Sequence, residues 1–202
     1  MKKVKVRCAR CKTRECTEGK DCFDRAEKHM ELYEDPEIAS IHRAATAIEG
    51  RHYCEEPRLA EIILFGREMG YRKLGLAFCI GTIDEAGVVE EVLSQHFEVV
   101  SVCCKVGGIE KKTFDLERIG QGRETESICN PAGQAEIMND AGTELNIICG
   151  LCVGHDSVFT ECSEAPVSTF ITKDRVLAHN PAGAVYCPYI RRKFFDNGGD
   201  GD

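Results

Sequence analysis

The chain has 202 residues, of which 43% are hydrophobic and 30% are charged, a composition typical of globular proteins. Its 26 lysine and arginine residues against 34 aspartate and glutamate residues give a net charge of −8, which argues against a nucleic-acid partner. No apolar run reaches the ~18 residues of a membrane span, and the first residues lead into cysteines rather than an apolar signal core. We therefore expect a cytoplasmic protein with no membrane partner.

The cysteine content is unusual for such a protein. The chain has 13 cysteines, and an odd number cannot all pair within one chain. Structural disulfides are also rare in a reducing compartment. We therefore interpret the cysteines as metal ligands or reactive thiols.

A cysteine-rich segment opens the chain, and its other residues offer almost nothing to bury. Its four cysteines are Cys8, Cys11, Cys16 and Cys22. Four thiolates that converge in a segment without a core form a metal site, because the ligand bonds replace the missing hydrophobic burial. The tight spacing fits a [4Fe-4S] cluster better than a zinc ribbon, in which a longer hairpin separates two cysteine pairs. Zinc is the alternative at this site.

Two helices precede the predicted sheet. Asp35-Pro36 is typical of a helix cap followed by proline in the first turn, and apolar residues then recur at helical spacing up to Gly50. A second helix opens at Glu56-Pro57 and ends at Gly70. Both patterns predict amphipathic helices with one buried face.

Strands then alternate with helices. The predicted strands are apolar runs, as expected for strands covered on both faces, and they span residues 74–80, 99–104, 145–149 and 167–172. Residues 82–85 form a capping-box pattern before the first of these helices, and later helices open at Asn130-Pro131 and Asn180-Pro181. Residues 105–128 are a long polar excursion that has room for one short helix.

This alternation predicts an α/β protein. Strands separated by helices imply right-handed crossovers and a parallel sheet. We predict a three-layer, Rossmann-like or flavodoxin-like open parallel sheet of about four strands. The predicted organisation is a cysteine-rich metal-binding segment (1–34), an α/β domain (35–195) and a flexible tail (196–202).

A second set of cysteines lies where the predicted strands end. The carboxyl ends of parallel strands line the ligand crevice of an open sheet, so cysteines distant in sequence meet there. We prefer Cys104 to Cys103, because consecutive strand residues face opposite sides and Lys105 already belongs to the loop. The alternative is that these cysteines are buried as small apolar residues of the core. The candidate ligands of a second cluster are Cys79, Cys104, Cys129, Cys149 and Cys152.

Charged residues near the same strand ends are candidates for chemistry. His155, at a predicted helix start, is a candidate proton donor or ligand, and its neighbour Asp156 serves equally well as a helix cap. Lys105, Lys111 and Lys112 follow the second strand and are candidate ligands of an anion, although a solvated basic loop is the commoner explanation. No dinucleotide or Walker motif follows any predicted strand, so we predict no nucleotide fingerprint, and a flavin bound without a sequence signature stays an alternative.

Several strings of residues resemble an uncharacterised, cysteine-rich domain-of-unknown-function family found mainly in anaerobic bacteria and archaea. The strings are GLAFCIG (75–81), SVCCKVGG (101–108), CNP (129–131), GLCVGHD (150–156), APV (165–167) and KDRVLAHNP (173–181). Members are generally labelled as metal-binding proteins, so the resemblance implies metal binding in an anaerobic setting, without a reaction. Carried over to the matching positions, it implies as ligands Cys8, Cys11, Cys16, Cys22, Cys79, Cys104, Cys129 and Cys152.

These features predict an iron–sulfur redox protein or enzyme. The N-terminal cluster would receive electrons from a partner and pass them to the second cluster, where a small molecule is reduced or has sulfur moved. Two alternatives stay open. One is a zinc-stabilised, non-catalytic regulatory or metal-carrying protein, and the weaker one is a thiol–disulfide oxidoreductase that uses Cys149 and Cys152.

Overall fold

The computed structural model describes residues 6–120, 122 and 124–195. The chain forms two compact units, residues 1–50 and 51–202. The first predicted helix therefore falls in the N-terminal unit rather than in the α/β domain. The rings of Tyr33 and His42, with centroids 4.7 Å apart, link this helix to the segment before it. The predicted tail, 196–202, lies outside the described residues.

The described part of the N-terminal unit, from residue 6, consists of short turns and two helices. Its 3-10 turns span Cys8–Arg10, Glu15–Glu18 and Leu32–Glu34, and its helices are α1 (Ala26–Glu31) and α2 (Pro36–Arg51). Asp35 caps α2 as predicted, because its Oδ1 accepts the N–H groups of Glu37 at 2.9 Å and Ile38 at 3.1 Å. Every residue from 6 to 38 is exposed, so hydrophobic packing does not order the cysteine-rich part.

The described part of the C-terminal unit contains one parallel sheet of four strands. The strands are β1 (Lys73–Phe78), β2 (Glu98–Cys103), β3 (Leu145–Cys149) and β4 (Val167–Ile171). Their order is β2-β1-β3-β4, and each neighbouring pair is parallel. The predicted α/β class and open parallel sheet are confirmed.

Helices cover both faces of this sheet. They are α3 (Arg58–Glu68), α4 (Ile83–Leu93), α5 (Pro131–Asp140) and α6 (His155–Cys162). One core cluster joins Leu76 of β1 to Val89 of α4, and the other joins Ala77 of β1 to Met138 of α5 and Phe159 of α6. The connections therefore diverge to opposite faces between β1 and β3. Ligands of open α/β sheets bind at such a point, beyond the carboxyl ends of the strands.

The turn after β1 departs from the predicted capping box. Thr82 makes no side-chain cap on α4, and its Oγ1 is instead shared between the carbonyl oxygens of Cys79 (3.0 Å) and Cys149 (2.9 Å). Gly150, with φ of +73°, has no Cβ that would collide with the buried Thr82 side chain. The Thr82 hydroxyl donates to the carbonyl oxygens at the ends of both strands, and these bonds hold β1 and β3 together at that edge.

The two Asn-Pro pairs play different structural roles. Asn130 caps α5 as predicted, with its Oδ1 accepting the N–H of Gly133 at 3.0 Å. After Asn180-Pro181 the chain instead forms a turn, and the short helices α7 (Gly183–Tyr186) and α8 (Pro188–Phe195) follow. The prediction of one helix from Asn180 is therefore wrong, since Pro188 separates the two helices. Across the part of the chain that the structure describes, no helix combines the length and apolarity that a bilayer crossing requires.

Candidate functional site

Three cysteine side chains meet beyond the carboxyl ends of β1 and β2. Cys79 follows β1, Cys104 follows β2 and Cys129 precedes α5. The Cys104 sulfur accepts the backbone N–H of Ile80 at 3.4 Å, and the Cys104 thiol interacts electrostatically with Cys79 and Cys129. The Cys104 backbone N–H donates to Phe78 at 2.8 Å, and its carbonyl accepts from Asn130 at 2.8 Å, so the main chain holds these three segments together. We call these three cysteines the thiol triad.

The buried side chain of Gln134 positions the strand ends that carry the triad. Its Nε2 donates to the carbonyl oxygens of Phe78 at 3.1 Å and Val102 at 2.6 Å, at the ends of β1 and β2. Cys104 is 2% exposed and belongs to the core cluster on this face. The structure therefore brings Cys104, the cysteine preferred from the sequence, into contact with the other two sulfurs.

Hydrogen bonding within the thiol triad separates the pKa values of its members. The Cys104 thiol lowers the pKa of Cys79 below the ordinary value of 9.0, and the Lys173 ammonium contributes to this lowering. The same thiol lowers the pKa of Cys129, with help from Lys105. The pKa of Cys104 is raised, because its hydrogen bonds to Cys129 and Cys79 stabilise the protonated form. These directions favour the thiolate at the outer sulfurs and the protonated thiol at the central one.

A cation lies beside each outer cysteine of the triad and beside Cys152. The pairs are Lys105 with Cys129 (3.6 Å from Nζ to Sγ), Lys173 with Cys79, and Arg175 with Cys152 (2.8 Å from Nη2 to Sγ). Lys173 is only 9% exposed. Among the described residues, no aspartate or glutamate forms an ion pair with it. Its ammonium therefore depends on the Cys79 sulfur for charge compensation.

Thiols and cations line one pocket of about 440 Å³. The loops after all four strands contribute to its wall, with Cys79 after β1, Lys105 after β2, Cys152 after β3 and Lys173 after β4. A volume of this size is typical of sites for small molecules and cofactors. The position of the pocket agrees with the rule that open parallel sheets bind ligands at this edge.

The long loop after β2 forms one side of the pocket through an ion pair. Lys111 Nζ lies 2.9 Å from Glu126 Oε1, and the two side chains are 12% and 7% exposed. Lys112 pairs with Glu110 at 2.8 Å. Of the three lysines predicted as anion ligands, Lys111 and Lys112 therefore bind carboxylates of their own loop. Lys105 alone of the three lines the pocket.

Cys149 lies in the core and does not line the pocket, contrary to its place in the predicted ligand set. It is fully buried in the core cluster on the α4 face, and burial raises its pKa to about 11. Strand alternation sends this side chain toward α4, whereas Cys152 lies beyond the strand in the pocket wall. The two cysteines of the predicted redox pair therefore have different surroundings.

His155 and Asp156 open α6 and have different environments. His155 is one of the charges that lower the pKa of the Cys129 thiol, after Cys104 and Lys105. Asp156 Oδ1 accepts the N–H of Ser157 at 2.8 Å. Neither residue forms part of the pocket wall. His155 therefore stays a candidate proton donor, whereas the Asp156 carboxylate is used within the first turn of α6.

In the N-terminal unit, three of the four predicted ligand cysteines lie near one another. Cys11 Sγ accepts the N–H of Arg14 at 3.4 Å, and this bond is the main cause of a lowered Cys11 pKa. The pKa of Cys22 is raised by desolvation and by the neighbouring thiols of Cys16 and Cys11. All four N-terminal cysteines, including Cys8, are exposed free thiols. The backbone bond to Cys11 favours the thiolate, which is the metal-binding form.

Two residues of the pocket, Lys173 and Arg175, were missed in the sequence analysis. Both follow β4 directly, so the rule applied to the cysteines, that strand ends meet at one edge, would have found them. In the ranges 6–120, 122 and 124–195, no three His, Cys, Asp or Glu side chains adopt the arrangement of a metal-binding group. The segments that carry the thiol triad are held together by the backbone hydrogen bonds of Cys104 to Phe78 and Asn130.

Comparison with known proteins agrees with the resemblance noted in the sequence. The model of a family described as "Protein of unknown function (DUF1847)" matches residues 16–170, which include the thiol triad and Cys152. The uncharacterized protein MJ0455 of Methanocaldococcus jannaschii is 49% identical over 192 residues, or 95% of this chain and 99% of that protein. The predicted relationship to an uncharacterised family is confirmed.

Proposed function

This chain belongs to the DUF1847 family, and from its thiol pocket we propose that it is an iron–sulfur redox protein that acts on a small molecule. The observation that supports the proposal is that Cys79 and Cys129, which are remote in sequence, line one pocket, with the buried Cys104 between their strand ends. Cysteine thiolates are the usual ligands of iron–sulfur clusters. Cys152 in the same wall is available as a fourth ligand.

The residues present fit such a cluster by their chemistry and by the space around them. The two outer sulfurs of the triad favour the thiolate, and the cations beside them offset the negative charge of a thiolate-bound cluster. The pocket of about 440 Å³ leaves room beside the sulfurs. When bound, the cluster supplies electron transfer or, with an open iron, a Lewis acid for a substrate.

The chain's own residues position and charge the site. Lys105 is held by the carbonyl oxygen of Ser127 at 2.7 Å, so its ammonium stays beside Cys129. The buried amide of Gln134 keeps the ends of β1 and β2 together. His155, at the start of α6, is the residue that we assign to proton transfer beside Cys129.

The N-terminal unit would hold a second metal centre through Cys8, Cys11, Cys16 and Cys22. The full exposure of residues 6–38 supports this proposal, because a segment without a core gains order from ligand bonds. Iron–sulfur and zinc are both compatible with four cysteines. An iron–sulfur centre there would receive electrons from a partner protein.

Anaerobic purification with metal analysis tests the proposal. Two cubane clusters give about eight irons per chain and broad absorption near ~400 nm, and one cluster gives about four. The substitution Cys104→Ala is expected to remove the iron of the pocket. Its matched control is Cys103→Ala, the adjacent cysteine of β2, which is expected to keep that iron.

Two other results would overturn the proposal in favour of its alternatives. A colourless protein that contains zinc alone would support the zinc-stabilised, non-catalytic reading. A metal-free protein in which Cys149 and Cys152 form a reversible disulfide would support a thiol–disulfide oxidoreductase.

A further inference from the structure

The pocket carries more positive charge than its own carboxylates neutralise. Among the described residues, three cations line it, Lys105, Lys173 and Arg175, and Glu126 is the one carboxylate in its wall. Glu126 is already paired with Lys111 inside the loop after β2. Glu126 also acts on Lys105, so Lys173 and Arg175 are the cations with no carboxylate partner among the described wall residues.

Lys173 is the strongest sign of a ligand. Burial of an ammonium is costly unless an anion compensates it. Lys173 is 9% exposed, and among the described residues no carboxylate forms an ion pair with it. The absence of a Cβ at Gly81 gives the ammonium its place, because a Cβ there would lie 3.2 Å from Nζ. The charge is therefore built into the pocket wall.

The loop after β4 holds its two cations in a defined turn. Asp174, between them, accepts the N–H groups of Val176 at 2.9 Å and Leu177 at 2.8 Å through Oδ1. Its own N–H donates to His179 Nδ1 at 3.1 Å. The carboxylate of Asp174 thus shapes the turn. Arg175 at the rim has several N–H donors, of which one meets Cys152.

We infer that this pocket binds a small anionic substrate, a carboxylate or an oxyanion, which Lys105, Lys173 and Arg175 hold beside the thiol triad. The inference rests on the proposed function for the reaction that the anion undergoes. Binding of the anion needs only the chain's own cations. The cations follow β2 and β4, which are the two edge strands of the sheet. They therefore surround an anion from both sides of the pocket.

The test compares two alkylating reagents on the full-length protein after anaerobic treatment with a chelator. Iodoacetate is an anion and iodoacetamide is neutral, and both alkylate a thiolate with loss of iodide. The measured quantity is the rate at which iodoacetate alkylates Cys152 divided by the rate at which iodoacetamide does so. Peptide mass spectrometry measures both rates. A change in thiol pKa affects both reagents alike, so the ratio reports the charge of the pocket.

We expect Lys173→Met and Arg175→Met each to lower this ratio, on the order of tenfold at low salt. Lys173→Arg keeps the charge and is expected to preserve the ratio. The matched control is Lys112→Met, which removes a cation that pairs with Glu110 outside the pocket wall. Inorganic phosphate, added at constant ionic strength, is expected to slow alkylation by iodoacetate in the wild type and not in Lys173→Met.

Equal ratios in the wild type, Lys173→Met and Lys112→Met would overturn the anion site. Iron analysis of the same preparations before chelation separates this failure from that of the proposed function. Iron in the pocket together with equal ratios would support the proposed cluster and contradict the anion site. A ratio that depends on the cations, in protein without iron, would support the anion site and contradict the proposed cluster.

Discussion

Gly81 leaves the space that the ammonium of Lys173 occupies. A Cβ on residue 81 would lie 3.2 Å from Lys173 Nζ and 3.9 Å from the sulfur of Cys79. One missing methyl group therefore allows a buried cation to stand beside a thiol of the pocket.

Substitution Gly81→Ala is expected to move the Lys173 ammonium and to raise the pKa of Cys79, because this ammonium helps to lower that pKa. The fold is expected to survive, since the displaced group is the end of a flexible side chain. The pH midpoint of iodoacetamide alkylation at Cys79 measures the change. Gly87→Ala is the control, because no atom lies within 4 Å of its Cβ position in α4. Equal midpoints in both variants would contradict the prediction.

Cys104 controls the charge of its two neighbours as a hydrogen-bond donor. The pKa values of Cys79 and Cys129 lie below 9.0, so in the chelator-treated protein both react as thiolates at a lower pH than an ordinary thiol. Cys104→Ala removes the donor and is expected to raise both midpoints toward 9.0. Cys104→Ser keeps a hydroxyl donor and is expected to give lower midpoints than the alanine variant. Alanine and serine variants with the wild-type midpoints would show that the donor has no such role.

The ionised carboxylate of Glu144 stabilises the start of β1, so the stability of the fold is expected to depend on acid pH. Its Oε2 accepts the N–H groups of Arg72 at 2.6 Å and Lys73 at 2.9 Å, and these bonds lower its pKa below 4.5. A carboxyl with a lowered pKa stabilises the fold above its ordinary value, and this contribution is lost as the pH falls through the folded pKa. The free energy of unfolding of Glu144→Gln is therefore expected to fall below the wild type by less than about 1 kcal/mol at neutral pH.

Urea unfolding at a series of pH values measures this difference. The gap between the wild type and Glu144→Gln is expected to narrow below pH 4.5, where the wild-type carboxyl takes up its proton. Glu91→Gln, on the exposed face of α4, serves as the control for loss of one charge. A gap that stays constant across the acid range would refute the assignment.

Gly75 is required by the packing of the central strand. A Cβ on this residue of β1 would collide with Oδ1 of Asn146 and lie 2.7 Å from Sδ of Met138. Asn146 is fully buried and held by Thr143 at 2.8 Å, so it has little freedom to move. Gly75→Ala is expected to lower the free energy of unfolding by about 1–3 kcal/mol, the usual cost of overpacking. Urea unfolding measures this loss, with Gly87→Ala as the control variant. A Gly75→Ala protein as stable as the wild type would contradict the prediction.

Metal removal is expected to affect the N-terminal unit before the sheet. Residues 6–38 are all exposed, so they lack the buried contacts that protect a chain from protease. After chelation, or in Cys11→Ser, limited trypsin digestion is expected to cut within this segment and to spare β1 to β4. Cys54→Ser, which changes an exposed cysteine outside the segment, is the control. Equal resistance before and after chelation would rule out a metal that orders the segment.

The strands, most helix starts and the position of the site followed from patterns along the chain. Apolar runs predicted four strands within two residues of their observed ends, and Asp35 and Asn130 cap helices as expected. These features depend on hydrophobic periodicity and on local hydrogen bonds, which a short window of sequence contains. Parallel topology then placed the strand ends at one edge, which was enough to predict that Cys79, Cys104 and Cys129 meet.

Other features required the folded chain, because they depend on which side chains face each other across distant segments. Cys149 and Cys152 are separated by two residues, yet packing sends one into the core and the other into the pocket. Thr82 bonds two strand ends instead of capping a helix, and Lys111 binds Glu126 instead of an outside anion. Partner choice of this kind is set by three-dimensional packing and charge balance, and neither is encoded in the spacing of residues along the chain.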